Sequence, residues 1–64
     1  MTKLTDRQIE IMHLKSMGCT MRDVGDILGI SMRTVGGHLD IIRQKYGTHK
    51  TKEAVALFQK EYVR

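Results

Sequence analysis

Residues 21–46, MRDVGDILGISMRTVGGHLDIIRQKY, constrain the fold more than any other stretch of this chain. The apolar spacing predicts a short helix, a tight turn at Gly29 and a longer helix capped by Ser31. Gly25 is a tiny residue inside the first of these helices, where the second must cross closely. Gly29, four residues on, suits the left-handed conformation that ends a helix. Val35, ten residues after Gly25, points the second helix back into a core. This is the pattern of a helix-turn-helix, a unit whose second helix can lie in the major groove of DNA.

The chain has 64 residues, which predicts a single small domain over 1–64. A chain of this size buries only about 60% of the surface its unfolded form exposes, so its packing must be efficient. Proline is absent and periodic segments dominate, so the expected class is all-α with four helices. Cys19 is the only cysteine, and it can form neither an internal disulfide nor a thiolate metal cluster. No apolar run reaches the ~20 residues of a membrane span, and no signal-peptide pattern is present, so the cytoplasm is expected. Charge is unevenly placed. Residues 1–31 carry four basic and four acidic side chains, whereas residues 32–64 carry seven basic against three acidic. All of the net +4 therefore lies from the second helix of the motif onward, which suits a polyanion.

Thr5 and Gln8 have the spacing of a capping box, predicting a first helix over about 6–17 with Ile11, Met12 and Leu14 inward and Leu4 folded over its start. Gly18 ends it, and Met12 and Met17 are expected to fill the core. Thr20 caps a second helix over 21–28, with Asp23 near its positive end and Val24, Ile27 and Leu28 apolar. The third helix, 32–46, has an inward stripe of Val35, Leu39, Ile42 and Tyr46 and ends at Gly47. A polar link leads to a fourth helix over 51–62, on which Val55, Phe58 and Tyr62 can close the core. Ala54, Leu57 and Glu61 lie on a neighbouring face. Apolar residues on two sides of a terminal helix fit either a terminus wrapped deeply into the core or self-association.

Several short motifs now stand together: Leu4-Thr5-x-Arg7, Gly18, Gly29-Ile30-Ser31, Thr34-Val35-x-x-His38-Leu39, Ile42-x-x-Lys45-Tyr46-Gly47 and Glu53-Ala54-Val55. In these residues the chain resembles the LuxR/NarL/GerE-type helix-turn-helix domain of bacterial transcription regulators, from Leu4 to about Phe58. The resemblance implies that the third helix is the recognition helix and that the fourth is a dimer contact, here through Ala54, Leu57, Phe58 and Glu61. It also implies that His38 packs between the recognition helix and the rest of the fold or lies near a phosphate. In that family the domain usually ends a longer protein with a receiver or ligand-sensing domain. Here it begins at Met1, so either a stand-alone regulator or a piece of a longer chain is expected. The chain departs from the family pattern at Gly36 and Gly37, which stand where a lysine and a variable DNA-facing residue are usual. It also departs at Asp40, Ile41 and Thr51.

Position assigns roles for DNA binding. Arg33 and Thr34 lie in the first turn of the third helix, where base edges are reached, and arginine can pair bidentately with guanine. Gly36 and Gly37 let the backbone approach the groove. Thr20, Met21, Arg22, Arg43, Lys45 and Lys50 are candidates for the DNA backbone, joined by the helix N-termini at Thr20 and Ser31 and by His38. Double-stranded DNA and a second copy of the chain are the expected partners. The alternative is a protein-interaction module that keeps the fold and binds a regulator or the transcription machinery through Gly36, Gly37, Asp40 and Ile41. No nucleophile–base pair, metal cluster or phosphate-cradling loop is present in the sequence, so an enzyme, a cofactor and a metal site are not expected.

Overall fold

The computed structural model describes residues 2–63; Met1 and Arg64, the two ends of the expected domain, lie outside the described residues. Four helices follow in order, α1 Asp6–Ser16, α2 Met21–Leu28, α3 Met32–Tyr46 and α4 Thr51–Tyr62. There is no strand among the described residues. α1 and α3 each pack against every other helix, while α2 and α4 lie apart from one another.

The helix ends follow from side-chain chemistry. Thr5 Oγ1 accepts the Gln8 amide at 3.2 Å and Gln8 Oε1 accepts the Thr5 amide at 3.0 Å, completing the capping box of α1. α1 stops at Ser16, one residue before the expected Met17. The Met17 amide donates to both His13 and Leu14 carbonyls at 3.1 and 3.2 Å, which tightens the last turn. A second capping box joins Thr20 and Asp23 at the start of α2. Gly29 takes φ +71° and ends α2; its amide and that of Ile30 both donate to the Gly25 carbonyl. Gly47 ends α3 in the same conformation.

The core is Leu4, Ile11, Met12, Val24, Val35, Leu39, Ile42, Ala54 and Phe58. The inward stripe expected of α3 is present, with Tyr46 half-buried at its end. The Tyr46 hydroxyl is buried with no hydrogen-bond partner among the described residues. Burial, then the nearby Glu61 and Tyr62, push it up to about 12. Met17, expected in the core, lies outside it, and so does the apolar Ile27. Met17 is 74% exposed because it caps α1 rather than continuing its buried face. Ile27 is 59% exposed because the buried arc of α2 runs through Val24, Gly25 and Leu28, leaving Ile27 beyond its edge. Gly25 lies on the buried arc. Its close neighbour is the turn rather than the crossing helix: a Cβ there would lie 2.6 Å from the Ile30 carbonyl oxygen and 3.6 Å from the Met32 amide nitrogen.

α4 is fastened at both ends of the chain. The Thr2 amide donates to both carboxylate oxygens of Glu61 at 2.9 and 2.7 Å, and the Tyr62 hydroxyl donates to the Thr2 carbonyl. Phe58 sits under this clasp, stacked on Tyr62 at 4.9 Å and edge-on to His13 at 5.1 Å. Ala54 and Phe58, two of the expected dimer-contact residues, are buried in this chain's own core. The carboxylate of Glu61, a third expected contact, is engaged by Thr2. Only Leu57 of that set is exposed.

The glycines separate by the sign of their substitutions. Gly25→Ala drives a methyl group against backbone and should destabilise the fold by about 1–3 kcal/mol. Gly37→Ala meets nothing within 4 Å in a helix interior and should stabilise it by about 0.5–1 kcal/mol. Chemical denaturation of both variants checks the opposite signs. The Thr2 amide holds Glu61 below its ordinary value of 4.5. The stability this contributes is complete above that value and is lost as pH falls through the lowered one. Glu61→Gln should therefore flatten the acid limb of the pH–stability profile, leaving the part that Asp23, lowered by its hydrogen bonds with Thr20, contributes in the same direction.

Candidate nucleic-acid interface

The outward face of α3 and the start of α2 lie side by side. At 3.6 residues per turn, Arg33, Gly37, Asp40 and Gln44 form the outermost stripe of α3, with Thr34 and Ile41 beside them. All six are exposed. A groove of ≈ 450 Å³ runs between this stripe and α2, lined by Met21 from α2 and by Arg33, Gly36, Gly37, Asp40 and Arg43 from α3. Leu39 forms the remaining part of its lining. A Cβ on Gly36 would approach the end of the Met21 side chain at 3.2 Å, whereas Gly37 opens onto empty space.

The helix starts on this side are held by their caps. Ser31 Oγ accepts the Thr34 amide at 3.1 Å and lies 3.0 Å from the Thr34 hydroxyl. Thr20 Oγ1 accepts the Asp23 amide at 3.1 Å, and the Asp23 carboxylate accepts the Thr20 amide at 3.0 Å. The hydrogen bonds with Thr20 hold Asp23 below the usual carboxylate range. A carboxylate thus already occupies the positive end of α2, so the amide donors expected for a phosphate at Thr20 are partly spent.

The structure brings together some expected residues and parts others. Met21, Arg33, Gly37 and Arg43 share the groove, with Arg22 exposed next to Met21. Arg43 is committed within the chain: Nη1 donates to Thr51 Oγ1 at 2.8 Å and Nη2 pairs with Asp40 Oδ1. Lys50 is exposed next to Thr51, at the N-cap of α4. Lys45 lies elsewhere, about 160° around α3 from Arg43, and its Nζ reaches Gln8 Oε1 on α1 at 2.8 Å. His38 is half-buried on that flank, away from the groove. The Asp40–Arg43–Thr51 chain was not expected from the sequence, although the i,i+3 spacing of Asp40 and Arg43 is a readable signal for the first link.

A capped short helix, a glycine turn and a longer helix with a polar outward face define a helix-turn-helix domain of the regulatory type. Residues 2–58 match the family of bacterial regulatory proteins described as luxR, and the chain belongs to that family, one of regulators rather than enzymes. Among its relatives is the transcriptional activator protein AhyR of Aeromonas hydrophila, 40% identical over 53 residues, a stretch that covers 83% of this chain and 20% of that protein. The transcriptional activator protein ExpR of Dickeya dadantii is 38% identical over 53 residues, 83% of this chain and 21% of its own. The transcriptional activator protein YukR of Yersinia ruckeri is 35% identical over 54 residues, 84% and 24%. The chain spans about a fifth to a quarter of the length of these curated relatives. No solved structure matches it. No helix among the described residues is long and apolar enough to cross a membrane.

Proposed function

We propose that this chain is the DNA-binding part of a cytoplasmic transcription regulator, with α3 in the major groove and two copies reading two half-sites. The observation that carries this reading is the exposed Arg33 on the outward face of α3, beside a groove that runs to the start of α2. Arg33 and Thr34 reach base edges, and Gly37 lets the helix approach them. Thr20, Met21, Arg22, Ser31 and Lys50 lie where the DNA backbone passes, and they position the helix without reading sequence. The second copy docks through the exposed part of α4 around Leu57. The relatives' names make activation the mode to test first.

A second reading, a protein-interaction module, has its own support. Ile41 is 46% exposed on the same face, and the Asp40 carboxylate stands where phosphates would be repelled. Titration of fluorescent mixed-sequence duplex DNA, at low and near-physiological salt, separates the two. DNA binding predicts an affinity that falls steeply with salt, each neutralised phosphate contributing about −0.9 to the log–log slope. Arg33→Glu should weaken it at least about ten-fold, as expected for a lost bidentate pair, while Ile41→Asp should leave it largely intact. Absence of binding at low salt from folded protein would overturn this function and favour a protein partner on α3.

A further inference from the structure

We propose that Asp40 is a specificity-determining residue that accepts a hydrogen bond from an exocyclic amino group in the major groove, and that Arg43 and Thr51 are the residues that position it. This rests on the DNA-binding reading above. Asp40 sits in the outward stripe two turns from Arg33, about 10 Å along the axis, so the two can address different base pairs of one half-site. Arginine supplies donors and meets guanine, whereas a carboxylate only accepts. Its partners in the groove are therefore the amino groups of cytosine and adenine, and it rejects a carbonyl edge.

An aspartate on a DNA-facing helix raises two difficulties, and the structure answers both. The first is charge: a bare carboxylate would be repelled by the phosphates. Here Arg43 Nη2 pairs with Oδ1, neutralising the charge in place and leaving Oδ2 for a base. The pair is asymmetric in a useful way, since the Asp40 side chain is 62% exposed and that of Arg43 only 27%. Arg43 lies back toward α4, where Thr51 Oγ1 accepts from Nη1 at 2.8 Å. Its other hydrogen bond is therefore spent on fixing the rotamer. The second difficulty is reach. Aspartate has one methylene, so the helix backbone must sit close to the bases. The residues whose side chains would crowd Asp40 on a helix surface are those three and four positions before it. They are Gly37 and Gly36. Gly37 has no packing reason to be glycine, because a Cβ there meets nothing within 4 Å. The pair of glycines clears the space over which a short carboxylate would have to approach. The same geometry makes Arg43 a positioning residue rather than the phosphate contact its charge suggests.

Selection of tight binders from randomised duplex DNA tests this, using wild-type chain and the Asp40→Ala, Arg43→Ala and Thr51→Val variants. The wild type should enrich one position for cytosine or adenine on one strand over guanine or thymine there. Asp40→Ala should lose that preference, roughly five-fold or more between bases, while preferences elsewhere persist. Its binding to mixed-sequence DNA at low salt should hold or strengthen, which also shows that it is folded. Thr51→Val keeps both charges and should blunt the preference at the same position. Arg43→Ala should blunt it too, on top of the uniform loss of affinity that uncovering the Asp40 carboxylate brings, whereas loss of a phosphate contact alone would leave the preference intact. Identical enriched sequences from wild type and Asp40→Ala would overturn the assignment while leaving DNA binding in place. Failure of the folded wild type to bind any DNA at low salt would overturn the function and this assignment together.

Discussion

The carbonyl oxygen of Ile30 occupies the place where a side chain on residue 25 would begin. A Cβ there would come within 2.6 Å of it, a contact that no rotamer change can relieve because a Cβ is fixed by its backbone and the oxygen is itself backbone. The same glycine accepts the amides of Gly29 and Ile30 through its own carbonyl, so the turn is folded back onto the last turn of α2 from two directions. This closure fixes how α3 leaves α2. It therefore fixes which side of α3 meets the core through Val35, Leu39 and Ile42, and which side faces outward with Arg33 and Asp40. The groove on the outward side is lined by Met21 of α2 and by the two glycines of α3.

A domain of this size has little apolar surface to spend, and the remaining helices show how it is spent. α1 and α3 make the centre, and α4 closes it with Ala54 and Phe58 fully inside. The clasp between Thr2 and Glu61, with Tyr62 returning a hydrogen bond, joins the segment before α1 to the last turn of α4. The apolar residues that made α4 look two-faced are therefore mostly one deep face and one edge, with Leu57 exposed. The orphaned hydroxyl of Tyr46 lies close to this clasp, at the same end of the fold.

Much of this was legible because the signals were local. Thr5 with Gln8, Thr20 with Asp23, and Ser31 announce helix starts; Gly29 and Gly47 announce ends; and the spacing of Val35, Leu39, Ile42 and Tyr46 names the buried side of α3. The misplaced residues depended on relations between helices. Met17 and Ile27 are apolar and in register, but their burial turns on how a helix ends or rotates against its neighbour. Ala54 could face either way until the angle of α4 was known. Lys45 and Arg43 read as equal cations in the sequence, yet one reaches α1 and the other α4, because they lie on opposite flanks of α3.

That separation changes what the basic half of the chain means. Of the cations on α3, Arg43 is paired with a carboxylate and Lys45 is directed at Gln8, which leaves Arg33 as the exposed one on the outward stripe without either engagement. A face that, among the described residues, has one free cation, one compensated carboxylate and two glycines between them is poor at attracting a polyanion by charge alone. It is better suited to contacts that depend on distance and on hydrogen-bond sense, since an arginine only donates and an aspartate only accepts. Under the proposed DNA-binding function, attraction to the phosphates would come from outside that stripe, from cations such as Arg22 and Lys50, which stand exposed at the starts of α2 and α4. Under that proposal, affinity and selectivity would reside on different helices. Substitutions at the helix starts would act on every sequence alike, and those on the outward stripe of α3 would act on the choice among sequences.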